Sequence, residues 1–323
     1  MVHHISITNK NRPRDIVYIT RSTMKMIRHI GSIKAKINYF LIRTPLYLIS
    51  LLPLSWLYMV CRLFSRLLFN VFRYRRKVIA KNLEVVFPDS PAEYRKSFEN
   101  KFVHHFSDLI AESIKAFSMG SKELQQRFEI QVSKELKADL EKYKNIFICG
   151  AHIHNWEWAV ITAGDQLPVR TVAVYKPLSS RAMNQIMLDL RQKFNTVMVP
   201  MALVLRDVLD TTQPRSAYIF LTDQSTPHTL TAHWIDFFGI RTPFISGMTT
   251  MAVRYNIPLY YFYIEKIRRG YYQAKFEVLS REPANYSAEE LTQLYSKKLK
   301  ENILNQPAHW LWTHKRWKRV LQY

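Results

Sequence analysis

The chain has 323 residues, of which 48% are apolar and 13% aromatic, so it can bury a sizeable core and is not a disordered protein. Lysine and arginine number 47 against 25 aspartate and glutamate, and the formal charge of +22 favours anionic partners: phospholipid headgroups, phosphorylated sugars, acidic carrier proteins or nucleic acid. The two cysteines, Cys61 and Cys149, show no ligand-like spacing, which argues against a disulfide framework and a cysteine-based metal site.

The N-terminal quarter divides into a tail and an apolar segment. Residues 1–30 are polar and basic without apolar periodicity, and we expect a disordered tail. Residues 31–75 contain an uncharged stretch of 18 residues, Thr44 to Cys61, at the lower edge of what crosses the roughly 30 Å hydrocarbon layer of a bilayer. Pro45 and Pro53 leave a shallow membrane anchor open beside a full span, and a buried hairpin of a soluble protein is a further alternative. Basic residues are denser after the stretch, which places the following bulk in the cytoplasm.

Residues 76–323 alternate helical and strand patterns and are expected to form one main domain. Ser90 to Glu93 has the form of a capping box and opens a helix that runs to about Met119. Four apolar runs predict buried strands at 146–150, 169–175, 216–223 and 258–264, with helices near 156–166, 179–194 and 244–255. This rhythm predicts an α/β fold with a mainly parallel central sheet flanked by helices.

One loop between a predicted strand and a helix, CGAHIHNWE from Cys149 to Glu157, carries the candidate chemistry. If Asn155 caps the helix, Glu157 lies in its first turn and can reach back to His152 in the loop. A neutral imidazole can take the proton of an attacking alcohol while a carboxylate on its other nitrogen fixes the tautomer. The alternatives are a structural histidine, or a metal held by His152, His154 and Glu157; no later run of ligands has matching spacing, so no metal is expected.

The motif HIHNWE resembles the HxxNWE form of the HX4(D/E) motif of late lipid A acyltransferases, which are part of the lysophospholipid-acyltransferase-like group. Other segments match that family in order and cover essentially residues 36–320: NLEVVFPD (82–89), VYKPL (174–178), LTDQ (221–224), FFG (237–239) and HWLWTHKRWK (309–318). The sequence is therefore similar to the bacterial lipid A biosynthesis acyltransferases along most of its length.

The resemblance implies a glycerolipid-acyltransferase-like catalytic domain over residues 76–323, with His152 as general base, Glu157 as its partner and no cofactor. It also implies a set of substrate-binding residues: Asn155, Tyr175, Lys176, Arg191, Asp223, Gln224 and Arg316. Arg191 has independent support, because it lies at the edge of an apolar helical stripe where a charge needs a partner. Lys176 replaces the arginine more familiar in the family, so a bidentate phosphate contact becomes a point-charge contact.

The C-terminal segment HWLWTHKRWKR interleaves three tryptophans with cations, among them Arg316. This composition suits an interface that is half lipid and half phosphate. It could also stack nucleic-acid bases, but nothing else in the chain resembles a nucleic-acid module, and no nucleic-acid partner is expected.

The resemblance implies an enzyme of the bacterial inner membrane with its catalytic domain on the cytoplasmic face. It would move a fatty acyl chain from an acyl carrier protein thioester to a hydroxyl of a lipid A precursor, and both an acidic carrier and an anionic glycolipid suit the charge of +22. Two alternatives stay open: the same chemistry on a lysophospholipid or aminolipid acceptor, and a non-catalytic basic protein that binds the membrane surface.

Overall fold

In a computed structural model of the chain, which describes residues 21–226 and 228–321, a helical N-terminal part precedes a sheet with helices on both faces. Five α-helices precede the first strand in this described part: α1 (Arg21–Ser50), α2 (Leu54–Arg66), α3 (Arg76–Val86), α4 (Ala92–Lys115) and α5 (Ser121–Arg127). A single π-helical stretch, Leu67–Val71, continues α2.

The start of α1 differs from the expected boundary of the tail at residue 30. Residues 1–20 lie outside the described part, but α1 begins at Arg21, so residues 21–30 are helical. Extending an existing helix adds one hydrogen bond for each residue that is ordered, which is far cheaper than starting a new helix. A polar sequence can therefore continue a helix that an apolar segment nucleates.

The apolar stretch from Thr44 to Cys61 is divided between two helices. Helix α1 keeps Pro45 in its interior and ends at Ser50, and α2 begins directly after Pro53. The residue before a proline is disfavoured in the helical conformation, which explains the break at Leu52. None of the described helices has the length and hydrophobicity that a membrane crossing requires.

Helix α4 confirms the predicted helix but not its predicted cap. The N-cap residue is Pro91, which has no side-chain hydrogen bond to the helix, so the capping box at Ser90 is wrong. The carbonyl of Ser90 instead accepts a hydrogen bond from the guanidinium of Arg95, as does the carbonyl of Phe87. Arg95 thus ties the preceding loop to the first turn of the helix.

The rest of the described chain alternates strands and helices. The strands are β1 (Phe128–Ile130), β2 (Asn145–Gly150), β3 (Arg170–Tyr175), β4 (Val197–Pro200), β5 (Ser216–Leu221), β6 (His233–Phe237), β7 (Ile240–Phe244), β8 (Leu259–Arg268) and β9 (Tyr271–Ser280). The helices are α6 (Lys134–Lys142), α7 (Trp156–Gln166), α8 (Arg181–Arg191), α9 (Val204–Leu209), α10 (Gly247–Tyr255) and α11 (Ala288–Asn305).

The central sheet has seven strands in the order β1-β9-β8-β2-β5-β3-β4. Its neighbouring strands are parallel except for β8 and β9, which are antiparallel, while β6 and β7 form a separate antiparallel pair. The predicted α/β fold with a mainly parallel sheet is confirmed, as are the four predicted strands.

The central strand β2 is buried on both faces, as a parallel sheet between two helical layers requires. Ile146 and Ile148 pack into one apolar cluster, and Phe147 and Cys149 pack into the other. Gly150 ends the strand, and a Cβ atom there would lie 2.1 Å from the ring of Phe262, so any larger residue would have to displace that buried ring. This packing fixes the position at which the following loop begins.

Candidate active site

The site lies at the carboxyl edge of the sheet, where β2 and β5 end side by side. The two strands are parallel neighbours, and Gly150 is in register with Leu221. His152 and Asp223 each follow two residues later, so the strand register places them opposite one another. Parallel α/β sheets form their binding crevices at this edge.

His152 and Asp223 form the central contact of the site. The ring Nδ1 of His152 lies 2.6 Å from Oδ1 of Asp223, and its backbone N–H donates to Oδ2 at 3.2 Å. The indole N–H of Trp310 donates to the same Oδ2 at 2.9 Å. With a carboxylate accepting at Nδ1, the ring carries its proton there and keeps a lone pair on Nε2.

Asp223 is only 2% exposed and is nevertheless ionised. Burial raises the pKa of a carboxyl group, but the nearby His152 and the N–H groups that donate to the carboxylate outweigh burial and hold the pKa of Asp223 at about 2. A fixed negative charge beside Nδ1 stabilises the imidazolium that forms when Nε2 takes a proton.

The Nε2 side of His152 faces a polar and an aromatic neighbour. The amide nitrogen of Gln224 lies 3.3 Å from Nε2, and the ring of Trp156 packs edge-on against the imidazole at 5.1 Å between centroids. The side chain of His152 keeps 17% of its surface exposed. A basic nitrogen is thus held in place and still has access to solvent.

Glu157 contacts a different partner from the one expected. Both of its carboxylate oxygens accept from Arg191, at 2.9 Å from Nε and 2.7 Å from Nη2, and Trp156 donates to it at 3.2 Å. Although burial raises the pKa of Glu157, Arg191 and the more distant His152 lower it below its ordinary value. Bidentate pairing with a guanidinium is stronger than a single bond to imidazole, which explains why Glu157 faces α8 rather than the loop.

Asn155 has the predicted cap position. Its side-chain oxygen accepts from the N–H of Trp158 at 2.9 Å, and its amide donates to Glu112 at 2.7 Å. The residue is fully buried, so the structure gives it contacts that position the loop. The substrate contact expected for Asn155 stays a prediction.

Tyr175 ends β3, the strand beside β5, and Lys176 follows it directly. Tyr175 is half-buried near Arg191: burial lowers the pKa of Arg191, but Glu157 and, to a smaller degree, Tyr175 raise it above its ordinary value. Lys176 is exposed. The sheet therefore places His152, Asp223 and Gln224 in one contact group, with the Glu157 and Arg191 pair and Tyr175 beside it.

A family model described as bacterial lipid A biosynthesis acyltransferase matches residues 29–319. The chain belongs to this family. A search of curated proteins gave no match. The matched region runs from the N-terminal helices to the C-terminal segment, so the membership confirms the resemblance read from the motifs and implies acyl transfer in lipid A biosynthesis.

The three tryptophans and Arg316 of the C-terminal segment of this lipid A acyltransferase are buried, so these side chains do not form the lipid and phosphate interface that the composition suggested, whereas Lys318 and Arg319 at the end of the segment are exposed. The three tryptophans are at most 2% exposed, and the indole N–H of each donates a hydrogen bond inside the protein. Trp310 donates to Asp223, Trp312 to the carbonyl of Pro307, and Trp317 to the hydroxyl of Thr242. Arg316 is also fully buried, donates to the carbonyl of Pro243 and stacks on Phe244. Satisfied N–H groups make these aromatic side chains suitable for a core.

Trp310 and His314 also lie at the candidate site, an assignment that the sequence pattern did not make. Trp310 donates to Asp223, and Nε2 of His314 accepts from the backbone N–H of Ser225 at 2.9 Å. Burial lowers the pKa of His314 to about 4, so its ring is neutral. The signal for both was the family match of the segment HWLWTH, which composition alone assigned to a membrane interface.

Proposed function

We propose that this enzyme transfers a fatty acyl chain from an acyl carrier protein thioester to a hydroxyl of a lipid A precursor at the cytoplasmic face of the bacterial inner membrane. The observation that carries the proposal is His152, whose Nδ1 is fixed by an ionised Asp223 and whose Nε2 is left as the basic nitrogen. The family to which the chain belongs is described as bacterial lipid A biosynthesis acyltransferase, which supports this choice of acceptor.

In the proposed reaction, Nε2 of His152 accepts the proton of the acceptor hydroxyl as its oxygen attacks the thioester carbonyl. The tetrahedral intermediate collapses, the carbon–sulfur bond breaks, and the imidazolium returns the proton to the departing thiolate. Asp223 stabilises the imidazolium between these steps. A thioester has a good leaving group, so one base is sufficient and no covalent enzyme intermediate is needed.

The neighbouring polar groups suit the remaining tasks. The amide of Gln224, beside Nε2, is placed to hydrogen bond the reacting oxygen atoms. Glu157 and Arg191 form a bidentate ion pair beside the site, and each fixes the position of the other. The exposed Lys176 is available to an acceptor phosphate. We propose that Glu157 still assists His152, indirectly, by positioning Arg191 and by its negative charge near the imidazole.

The first two helices support membrane-surface attachment. Helix α2 is apolar on two sides: its inner side packs Leu57 and Cys61 into the protein, and its outer side is exposed. The outer residues recur at helical spacing and continue into the π-helical stretch: Trp56, Met59, Val60, Leu63, Phe64 and Leu67. An exposed apolar stripe of this length is costly in water and favourable in a lipid interface.

Basic side chains adjoin this apolar surface. Arg66, Arg73, Arg75 and Lys77 are exposed directly beyond it. Cations next to an apolar face attract anionic phospholipid headgroups, each contributing about 1 kcal/mol near such a surface. We therefore propose a surface-lying anchor that brings the site to its glycolipid acceptor.

An activity assay tests the proposed reaction. Purified protein is given acyl carrier protein thioester and a lipid A precursor, and the product is followed by mass spectrometry. His152→Ala should lower the rate by about two to four orders of magnitude, because the base is removed. His233→Gln is the matched control, since that ring hydrogen bonds Thr292 of α11 rather than a group of the candidate site, and the change should leave the rate unaffected. Full activity in His152→Ala would refute the mechanism.

A panel of acceptors tests the substrate. A lipid A precursor, a lysophospholipid and an aminolipid are offered in turn with the same thioester. We expect turnover of the lipid A precursor to exceed that of the other two by about 100-fold or more, the discrimination that a polar recognition site can supply. Equal or faster turnover of another acceptor would refute the proposed substrate while leaving the His152 chemistry intact.

A further inference from the structure

Three histidines from distant parts of the chain meet in the core beside the active-site loop. His105 lies on α4, His154 in the loop after β2, and His309 after α11. One ring nitrogen from each lies within 4.8 Å of the others. The ring centroids of His154 and His309 are 4.1 Å apart, and those of His105 and His309 are 4.7 Å apart.

The cluster is buried without the hydrogen bonds that burial requires. His105 is 4% exposed and His154 is fully buried. Within residues 21–226 and 228–321, both ring nitrogens of His105 and the Nδ1 atoms of His154 and His309 have no hydrogen-bond partner. Each buried polar atom left in this way costs about 1–3 kcal/mol, and native proteins rarely accept several in one place unless a water or an ion binds them.

The rings are in the protonation state that binds metal. Nε2 of His154 contacts the side-chain oxygen of Gln306, so the proton sits on Nε2 and the lone pair on Nδ1. Metal-binding histidines commonly donate their second nitrogen to such a carbonyl. Burial lowers the pKa of His154 to about 3 and that of His309 to about 4, and it also keeps His105 neutral.

We propose that His105, His154 and His309 bind a divalent transition metal ion, zinc, with a water molecule as the fourth ligand. Three neutral imidazoles form a ligand set typical of zinc, and the tetrahedral ion accepts a water beside three protein ligands. This ligand set could not be predicted from the sequence, because His105 and His309 are far from the loop motif in the chain. Only His154 is shared with the HxHxxE pattern.

The metal would act as a structural clamp on the active-site loop. His154 has a left-handed backbone conformation, φ 55°, which is unfavourable for a residue with a side chain. Its N–H donates to the carbonyl of His309 at 3.1 Å, and Ile153 bridges to Trp310, the residue that binds Asp223. A metal on both histidines would hold the loop, the C-terminal segment and α4 together.

The surrounding charges affect the affinity. Lys266 lies close enough to lower the pKa of all three histidines, and it opposes a bound cation. Its ammonium group lies 3.7 Å from Asp108, which also pairs with Arg269. The ring nitrogens stay available, so Lys266 weakens the binding without blocking it.

The first test measures metal in purified full-length protein. Protein from zinc-supplemented cells is dialysed against chelating resin and analysed by elemental mass spectrometry. We expect about one zinc per chain in the wild type and less than about 0.1 in His105→Gln. His104→Gln is the matched control, because it changes the adjacent histidine of the same helix outside the cluster and should retain about one zinc. Full zinc retention in His105→Gln would refute this ligand set.

The second test does not depend on the folding of a variant. Metal-stripped wild type is titrated with Co²⁺, whose tetrahedral complexes absorb visible light strongly. We expect saturation at one equivalent, with a rise in melting temperature on adding zinc that is lost in His105→Gln. Absence of visible bands together with less than about 0.1 zinc per wild-type chain would refute the proposal. Neither measurement uses acyl transfer, so the result is independent of the proposed function.

Discussion

At the scale of single residues, the main question is which carboxylate contacts His152. The sequence motif favours Glu157, which is five positions away, whereas the structure pairs His152 with Asp223 and Glu157 with Arg191. Asp223 could be recognised from the sequence as a strand-end residue. Its contact with His152 could not, because it depends on β2 and β5 being neighbours in register, which only the folded sheet determines.

Substitution of the two carboxylates separates their roles. Asp223→Asn should lower kcat by about two to four orders of magnitude, because an amide can favour the wrong tautomer of His152 and cannot stabilise an imidazolium. Glu157→Gln should cost less, about 10- to 100-fold, because it loosens Arg191 without touching the base. Steady-state kinetics with both variants checks this order, and a larger loss in Glu157→Gln would contradict it.

Glu112, which is buried, makes the stability of the folded protein depend on pH. Burial raises its pKa from 4.5 to about 7, although Tyr58, Tyr272 and Asn155 donate hydrogen bonds that lower it. Asp108 on the same helix raises it further. The folded protein therefore holds a proton between pH 4.5 and 7 that the unfolded chain has released. Stability falls as the pH rises through this window, by at most about 1.4 kcal/mol per pH unit.

Glu112→Gln should remove this dependence, since an amide does not titrate. The melting temperature of the variant, compared with that of the wild type, should rise from pH 5 to about pH 7 and then level off. The lost hydrogen-bond acceptor lowers stability by an amount that is the same at each pH, so only the trend matters. Scanning fluorimetry measures it, with Glu84→Gln on the exposed side of α3 as control. A constant difference between Glu112→Gln and wild type would contradict the expectation.

Among the elements, apolar runs predicted those strands that are buried on both faces. The strands β2, β3, β5 and β8 were found because each contains a mainly apolar run. Strand β9 was not predicted, since it is half-exposed and its pattern is weak. In the N-terminal part, the length of the apolar stretch suggested one membrane-associated segment. Length alone could not show that the stretch is divided into two helices at Pro53.

The outer face of α2 and its π-helical continuation offers a test of membrane attachment. Leu63 is 71% exposed and Phe72 is 69% exposed. Replacing both with aspartate should weaken binding to anionic vesicles by about 100-fold or more, because each apolar side chain transferred to lipid contributes about 1.5–3 kcal/mol. The fold should persist, since neither side chain packs inside the protein.

Vesicle flotation measures this effect. Leu230→Asp is the matched control, because Leu230 is fully exposed but lies in the connection between β5 and β6. It should bind vesicles as the wild type does. If both variants bind equally well, the apolar face of the N-terminal helices is not the attachment surface.

At the scale of the whole molecule, one chain brings together groups that are more than 100 residues apart. The candidate active site combines the ends of β2 and β5, the first turn of α7 and the C-terminal Trp310. Local patterns predicted the strand ends and the start of α7, but the contacts that complete the site depend on strand order and on the path of the C-terminal segment. This explains why Trp310 and His314 escaped sequence reasoning, although their segment was conspicuous.

The net charge of +22 is a property of the whole surface, and it predicts how the donor is recognised. An acidic carrier protein should be attracted over distances near the Debye length, about 10 Å at 0.1 M salt. Raising the salt from about 50 to about 300 mM should therefore increase KM for the acyl carrier protein thioester roughly 5- to 10-fold and leave kcat unchanged. A short acyl-pantetheine thioester has the same reacting bond without the acidic carrier, so its KM should respond little. Equal salt responses for the two donors would mean that the positive surface serves the membrane or the acceptor and not the carrier.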